Sequence, residues 1–146
     1  MNGDERYNFV LDAYALLTYF ENEAGGKQVQ SHLNLARQNK SKLALSIINL
    51  GEVLYIVERE QGIRRAHETL ALIQSLALDL ILVDVSLVLA AAHIKANYQI
   101  SYADAFAVAL TQKFGCKLLT GDPELKGVGD AGIIDIEWLP PKPTQS

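Results

Sequence analysis

Apolar residues fall along this chain in two rhythms. Short, largely apolar runs recur at 7–11, Leu43–Ser46, 80–83 and 117–119, with an alternating one at 134–138. Between them lie longer stretches in which apolar residues return every third or fourth position. The short runs predict strands, and the longer stretches predict helices at 13–21, 27–39, 49–60, 63–76, 87–97 and 103–114. Glycines punctuate several of these helices: Gly25-Gly26 after the first, Gly62 after the third and Gly115 after the last. Val29, Leu33 and Ala36 form one stripe of the second helix, and Leu70, Ile73 and Ala77 one stripe of the fourth. Strands separated by helices predict parallel pairing with helices on both faces, and the uniformly apolar run 80–83 fits a sheet covered on both sides. No internal repeat or linker divides the chain. The expectation is therefore a single α/β domain over 1–146, with its core at about 7–139 and loose polar ends at 1–6 and 140–146.

That pattern is interrupted by charge in a revealing way. In FVLDAYALL an apolar strand ends on a bare carboxylate, Asp12, and apolar residues resume at once. Asp122 follows the fourth strand in LLTGDPEL, while Glu52 and Asp104 fall in first helical turns. Asp84 also ends a strand, in LILVDVS. Open parallel sheets bind ligands beyond the carboxyl ends of their strands. Each acid also has an ordinary explanation, because Asp is a preferred N-cap and carboxylates suit the first turn of a helix. Asn49-x-x-Glu52 and Ser101-x-x-Asp104 resemble capping boxes, and Asp122-Pro123 resembles an N-cap followed by proline at the first helical position.

Helix context separates Glu52 and Asp104 from simple caps. The helix 103–114, ADAFAVALTQKF, is apolar on nearly all sides, as a buried helix is. The face bearing Glu52 also carries Ile48, Tyr55 and Ile56. A carboxylate in such a setting needs a partner or a cation. Neither acid has a basic neighbour in sequence; Arg59 stands two turns from Glu52. At ~4 Å and an effective dielectric of about 20, each pair of like charges costs roughly 4 kcal/mol. A hard divalent cation with oxygen ligands, Mg2+ or Mn2+, relieves that repulsion.

Composition narrows the field further. Hydrophobic residues make up 49% and charged residues 21% of 146 positions, an ordinary globular balance. No apolar run reaches the roughly 20 residues of a membrane span. No basic segment followed by an apolar stretch and cleavage site opens the sequence, so a cytoplasmic location is expected. Cys116 is alone, which argues against a disulfide framework or a thiolate metal cluster. His32, His67 and His93 lack ligand spacing and are expected as surface or packing residues, so zinc is disfavoured. A net charge of −4 argues against coating nucleic acid by bulk charge, though not against a local site.

Taken in order, LDAYALL, INLGEVLYI, SYADAFAVAL and LLTGDPEL resemble the PIN-domain ribonucleases, and most closely the VapC-type toxins of toxin–antitoxin pairs. The resemblance covers roughly residues 7–139. It implies a three-layer α/β/α fold with a central, mostly parallel sheet of about five strands. It further implies a Mg2+ or Mn2+ site built from Asp12, Glu52, Asp104 and Asp122, with Thr120 in a supporting place. Its chemistry would be endonucleolytic hydrolysis of RNA by a metal-activated water, leaving 5′-phosphate and 3′-hydroxyl ends. Self-pairing and a small protein antitoxin are implied as well, with Leu16-Leu17-Phe20 and Leu54-Val57 as the apolar surfaces. The family often has Ser or Thr directly after the first aspartate; here that place is Ala13. Asp84 matches no metal position and is read as a cap.

The RNA-binding residues are not defined by sequence. Lys40, Lys42, Arg59, Lys113, Lys117 and Lys126 are candidates for phosphate, and Tyr14 and Tyr102 for stacking. Related readings are a PIN-type nuclease of RNA processing and a catalytically silent module that binds RNA or a partner. Other α/β classes fit less well. A receiver domain needs paired acids at the first strand, a haloacid-type phosphatase needs Asp-x-Asp there, and a dinucleotide enzyme needs G-x-G-x-x-G.

Overall fold

The computed structural model describes residues 6–21 and 24–141; the ends 1–5 and 142–146, including most of the polar tail, lie outside the described residues. Five strands form one sheet: β1 (Phe9–Leu11), β2 (Leu43–Ser46), β3 (Asp79–Ile81), β4 (Lys117–Thr120) and β5 (Asp135–Trp138). Their spatial order is β3-β2-β1-β4-β5, and every neighbouring pair is parallel. The chain builds outward from β1 through β2 to β3, then returns to β1's other side for β4 and β5. The order therefore reverses between β1 and β4, and a crevice is expected at their carboxyl ends.

The helices are α1 (Ala13–Phe20), α2 (Gly26–Arg37), α3 (Ile47–Gln61), α4 (Ile63–Ser75), α5 (Val85–Asn97), α6 (Tyr102–Phe114) and α7 (Lys126–Asp130). A 3-10 turn, Pro123–Leu125, precedes α7. Alternation along the short strands divides the core in two. Val10, Ala44 and Leu118 pack with α5 and α6 on one face. Leu11, Leu43, Leu45 and Leu119 pack with α1, α2, α3 and α4 on the other. The result is the expected α/β/α arrangement. In α6 every residue from Asp104 to Thr111 is buried, as its uniformly apolar sequence predicts. No helix among the described residues is long and apolar enough to cross a membrane.

Three local expectations are corrected. The third strand runs over Asp79–Ile81 at the sheet edge, where its residues are exposed or half-buried. Apolar content alone does not separate an edge strand from a central one. In α4 the buried stripe is Ala66, Thr69 and Ile73; Leu70 is only half-buried, and Ala77 is exposed beyond the helix end. The small and hydroxyl residues fit the close packing of α3 against α4, and the Thr69 hydroxyl is satisfied by the Arg65 carbonyl at 2.8 Å. Finally, Asn49 does not cap α3. Ser46 does, its Oγ accepting from the Ile48 amide at 3.0 Å, which places Asn49 inside the helix.

Asp84 is a cap, as expected: its Oδ1 accepts from the Leu87 amide at 2.8 Å. Its other oxygen lies 3.9 Å from Lys113 Nζ, at the opposite end of α6 from Asp104. Asp84→Ala is expected to cost about 1 kcal/mol of stability by loss of the cap. Thermal denaturation reads that cost, and chemistry at the distant acids should not change.

Candidate metal centre at the switch point

Asp12 follows β1 directly and Asp122 lies two residues beyond β4, on either side of the topological reversal. Thr120, fully buried at the end of β4, joins them. Its hydroxyl donates to Asp12 Oδ2 at 2.5 Å and accepts from the Asp122 amide at 3.1 Å. Asp12 Oδ1 meanwhile caps α1 by accepting from the Ala15 amide at 2.9 Å. The capping and site readings of Asp12 thus describe two oxygens of one carboxylate. Thr120 supports the site for a visible reason: one hydroxyl fixes both acids.

Asp104 enters from the first turn of α6, where Ser101 Oγ caps the helix by accepting from the Asp104 amide at 3.1 Å. Its side chain also meets the Ser101 hydroxyl, which lowers its pKa, and lies among the carboxylates of Asp122, Glu52 and Glu124, which raise it. One oxygen from each of Asp104, Asp122 and Glu124 lies within 4.8 Å of the others. Glu52 is half-buried on α3. Asn49 directs it: the Asn49 amide nitrogen donates to the Ala103 carbonyl at 3.1 Å and reaches Glu52 Oε1 at 3.5 Å. Asn49 therefore ties α3 to the start of α6, and its buried amide oxygen has no partner among the described residues.

Electrostatics shows that the four expected acids sense one another. Burial pushes Asp12 from 3.8 up to about 8, against the lowering hydrogen bonds from Thr120 and Ala15, with Asp104 and Asp122 adding to the rise. Burial raises Asp104 to about 7, and the charges of Asp122, Glu52 and Glu124 add to it. Glu52 is also raised, first by burial and then by Asp122, against the Asn49 hydrogen bond. The charges acting on Asp104 are all negative. Such a set fits a hard divalent cation, which prefers several carboxylate and amide oxygens.

The tightest cluster differs from the expected one. Asp104 and Asp122 belong to it and the exposed Glu124 joins them, while Asp12 and Glu52 interact with these acids electrostatically. Glu124 was missed by sequence reasoning. The available signal was its place after Asp122-Pro123: proline starts the 3-10 turn, so the second residue beyond Asp122 remains in its first turn. Asn49 was also misjudged, because its bridge to α6 depends on tertiary packing.

Gly121, the neighbour of Asp122, has no room for a side chain. A Cβ there would meet Tyr14 Cε1 at 2.6 Å and Leu139 Cβ at 3.2 Å. Tyr14, a candidate for stacking on RNA, is half-buried and packs on this glycine instead. Gly121→Ala is expected to destabilise the protein by about 1–3 kcal/mol through overpacking and to move Asp122 away from Asp104. Adding Tyr14→Ala should recover part of the loss, as a double-mutant cycle of melting temperatures will show.

The other candidates divide by position. Lys42 precedes β2 and Lys117 begins β4, so both lie at the amino ends of the strands, opposite the acids. Arg59 sits over the Tyr55 ring at 5.0 Å rather than folding back to Glu52. Lys126 begins α7, four residues after Asp122, and its ammonium pairs with Asp130 at 2.6 Å. Tyr102 is 46% exposed next to Asp104 and packs its ring on Phe106. Of the apolar surface residues expected on α1 and α3, Leu16 and Val57 are buried; Leu17, Phe20 and Leu54 are half-buried. His67 and His93 are exposed, and His32 packs on Phe9 with its Nε2 2.5 Å from Glu137.

A parallel three-layer α/β/α sheet with acids gathered at its switch point defines a narrow class of α/β proteins. The chain belongs to the PIN-domain family, whose model matches residues 9–131. Solved structures agree on the fold. VapC20 of Mycobacterium tuberculosis, described as a sarcin–ricin loop cleaving toxin, is 19% identical with a TM-score of 0.67, over 84% of this chain and 95% of that one. A DNA-bound VapBC from Salmonella typhimurium is 18% identical with a TM-score of 0.67, over 90% and 97%. VapBC2 of Rickettsia felis, bound to a promoter DNA fragment, is 15% identical with a TM-score of 0.69, over 90% and 98%. No curated protein matches the chain in sequence.

Proposed function

We propose that this chain is a divalent-cation-dependent endoribonuclease and the toxin of a toxin–antitoxin pair, acting in the cytoplasm as a single domain over 1–146. The observation that carries this reading is the meeting of Asp104, Asp122 and Glu124 at the switch point of a PIN fold, with Asp12 and Glu52 within electrostatic reach. Asp104, Asp122 and Glu124 would hold Mg2+ or Mn2+, with Asp12 and Glu52 completing the set. When bound, such an ion supplies positive charge against the phosphodiester and makes water acidic enough to attack near neutral pH.

The chain's own residues divide the remaining work. Thr120 and the Ala15 amide hold Asp12 in one orientation. Asn49 steers Glu52 through its Oε1, and Glu52 would complete the set or orient the attacking water. Asp12 and Asp104 are buried, while Asp122 is half-buried and Glu124 exposed, so the centre opens to solvent on the side from which RNA would enter.

The VapC relatives support the toxin assignment, and several of those structures are toxin–antitoxin complexes. A groove of about 280 Å³ between α1 and the α3–α4 hairpin, lined by Leu17, Phe20 and Val57, suits an antitoxin segment. Self-pairing is supported by Leu82, just before α5, and Val85 and Leu89 at its start, exposed by 77%, 74% and 65%.

The test is cleavage of single-stranded RNA with Mn2+, followed by end-group analysis. Internal cuts with 5′-phosphate ends, abolished by EDTA, are expected. Cleavage that survives chelation, or products ending in 2′,3′-cyclic phosphate, would remove the metal mechanism, because cyclic ends come from attack by the RNA's own hydroxyl.

A further inference from the structure

A cavity of about 510 Å³ runs along β5, from Asp135 at the strand's amino end to Trp138 and the neighbours of Asp122 at its carboxyl end. That volume falls within the usual range for small-ligand pockets, about 300–1,000 Å³. Its wall includes Gly121 and Pro123, the two neighbours of Asp122, together with Trp138, Lys126, Asp130 and Asp135. The cavity is held in register with the acids. Trp138 stands opposite Thr120 across β4 and β5. The next residue, Leu139, donates its amide to the Thr120 carbonyl at 2.8 Å. The Thr120 side chain in turn holds Asp12 and the Asp122 amide.

The lining selects for one kind of occupant. Trp138 is 43% exposed, an aromatic surface available at the sheet's carboxyl edge. Asp130 would repel a phosphate inside the cavity, yet its carboxylate can accept hydrogen bonds from the N–H groups of a neutral heterocycle. Lys126 Nζ lies 2.6 Å from Asp130 Oδ2, but both side chains are mostly exposed, so the pair contributes little and the ammonium can turn to a phosphate at the mouth.

We propose that this cavity is a nucleobase subsite, in which a base of single-stranded RNA beside the scissile phosphate stacks on Trp138. The inference rests on reading the acid cluster as an RNA-cleaving centre, and it makes Trp138 a determinant of where the strand is cut. Paired bases of a duplex cannot enter without unstacking, so single strands are favoured.

Trp138 is the sole tryptophan of the chain, so tryptophan emission reports on this cavity alone. Nucleoside 5′-monophosphates, added one at a time with Mg2+, contain no bond for the enzyme to cut. They are expected to quench emission to saturation, with one base preferred, while ribose 5-phosphate leaves it unchanged. In RNA cleavage, Trp138→Ala is expected to raise KM about tenfold with little change in kcat, and Trp138→Phe to stay near wild type. The proposal is overturned if monophosphates leave emission unchanged, or if Trp138→Ala keeps the wild-type KM and cutting pattern. Emission already shielded from acrylamide without nucleotide would also overturn it. Such shielding at all protein concentrations would make the chain's own tail the occupant; shielding only on self-association would make it a second copy. Should Trp138→Ala fail to fold, the wild-type emission and the Phe variant still decide. Failure of the nuclease reading shows differently: the wild type then leaves RNA uncut, whatever Trp138 emission does.

Discussion

Asp104→Asn is expected to lower RNA cleavage by on the order of a hundred- to a thousandfold while making the cation-free protein more stable at neutral pH. Both effects follow from the same placement. Asp104 is only 6% exposed, and its carboxylate faces Asp122, Glu52 and Glu124. Asparagine keeps the shape but removes the charge that would hold a cation. It also removes the burden of a buried anion among like charges, a gain on the order of 4 kcal/mol at most. The sign of the pH dependence is fixed by the raised acidity constant. Between 3.8 and about 7 the folded protein keeps a proton that the unfolded chain releases, so stability falls as pH rises through that window. The asparagine variant lacks this slope. Its advantage in EDTA should be full above about pH 7 and vanish near pH 3.8. Melting curves across pH, beside cleavage rates in Mn2+, check both halves. A variant that loses activity and is less stable at every pH would show that Asp104 is a structural partner instead.

Mn2+ is expected to raise the melting temperature by roughly 5–10 °C at a concentration about a hundred times its Kd. The ion binds the folded state, where the carboxylates are gathered, and relieves their repulsion. Protons compete for the same oxygens. With Asp104 at about 7 and Asp12 at about 8, the shift should be largest above neutral pH and shrink as the solution becomes acidic. Asp84→Ala should keep the full Mn2+ shift, since Asp84 lies at the far end of α6. Asp104→Asn should lose most of it. Equal shifts in wild type and Asp104→Asn would mean that the ion binds elsewhere.

Much of this was legible in the sequence because it depended on local pattern. Short apolar or alternating runs located all five strands, and ADAFAVALTQKF, apolar on nearly all sides, marked α6 as the buried helix. The acids at Asp12, Glu52, Asp104 and Asp122 were visible because each broke an apolar context without a basic neighbour. What sequence did not disclose depended on distance in space. Strand order decides that β3 is an edge, and nothing in LILV announces it. Asn49 read as a cap because its spacing to Glu52 suits one; only the meeting of α3 with α6 turns it into a bridge. Glu124 was passed over because an acid beyond Asp122-Pro123 is ordinary in a first turn. Gly121 shows the converse, since its lack of a side chain matters only because the Tyr14 ring fills the space.

The central claim is that separate carboxylates share one divalent cation, and calorimetric titration with Mn2+ near pH 7 tests it most directly. Performed in buffers of different ionisation heat, the titration also counts the protons released. Saturable binding with net proton release is expected, because Asp12 and Asp104 are still partly protonated there. Both binding and release should be lost in Asp104→Asn. Heats indistinguishable from dilution, or binding that Asp104→Asn leaves intact, would contradict the account.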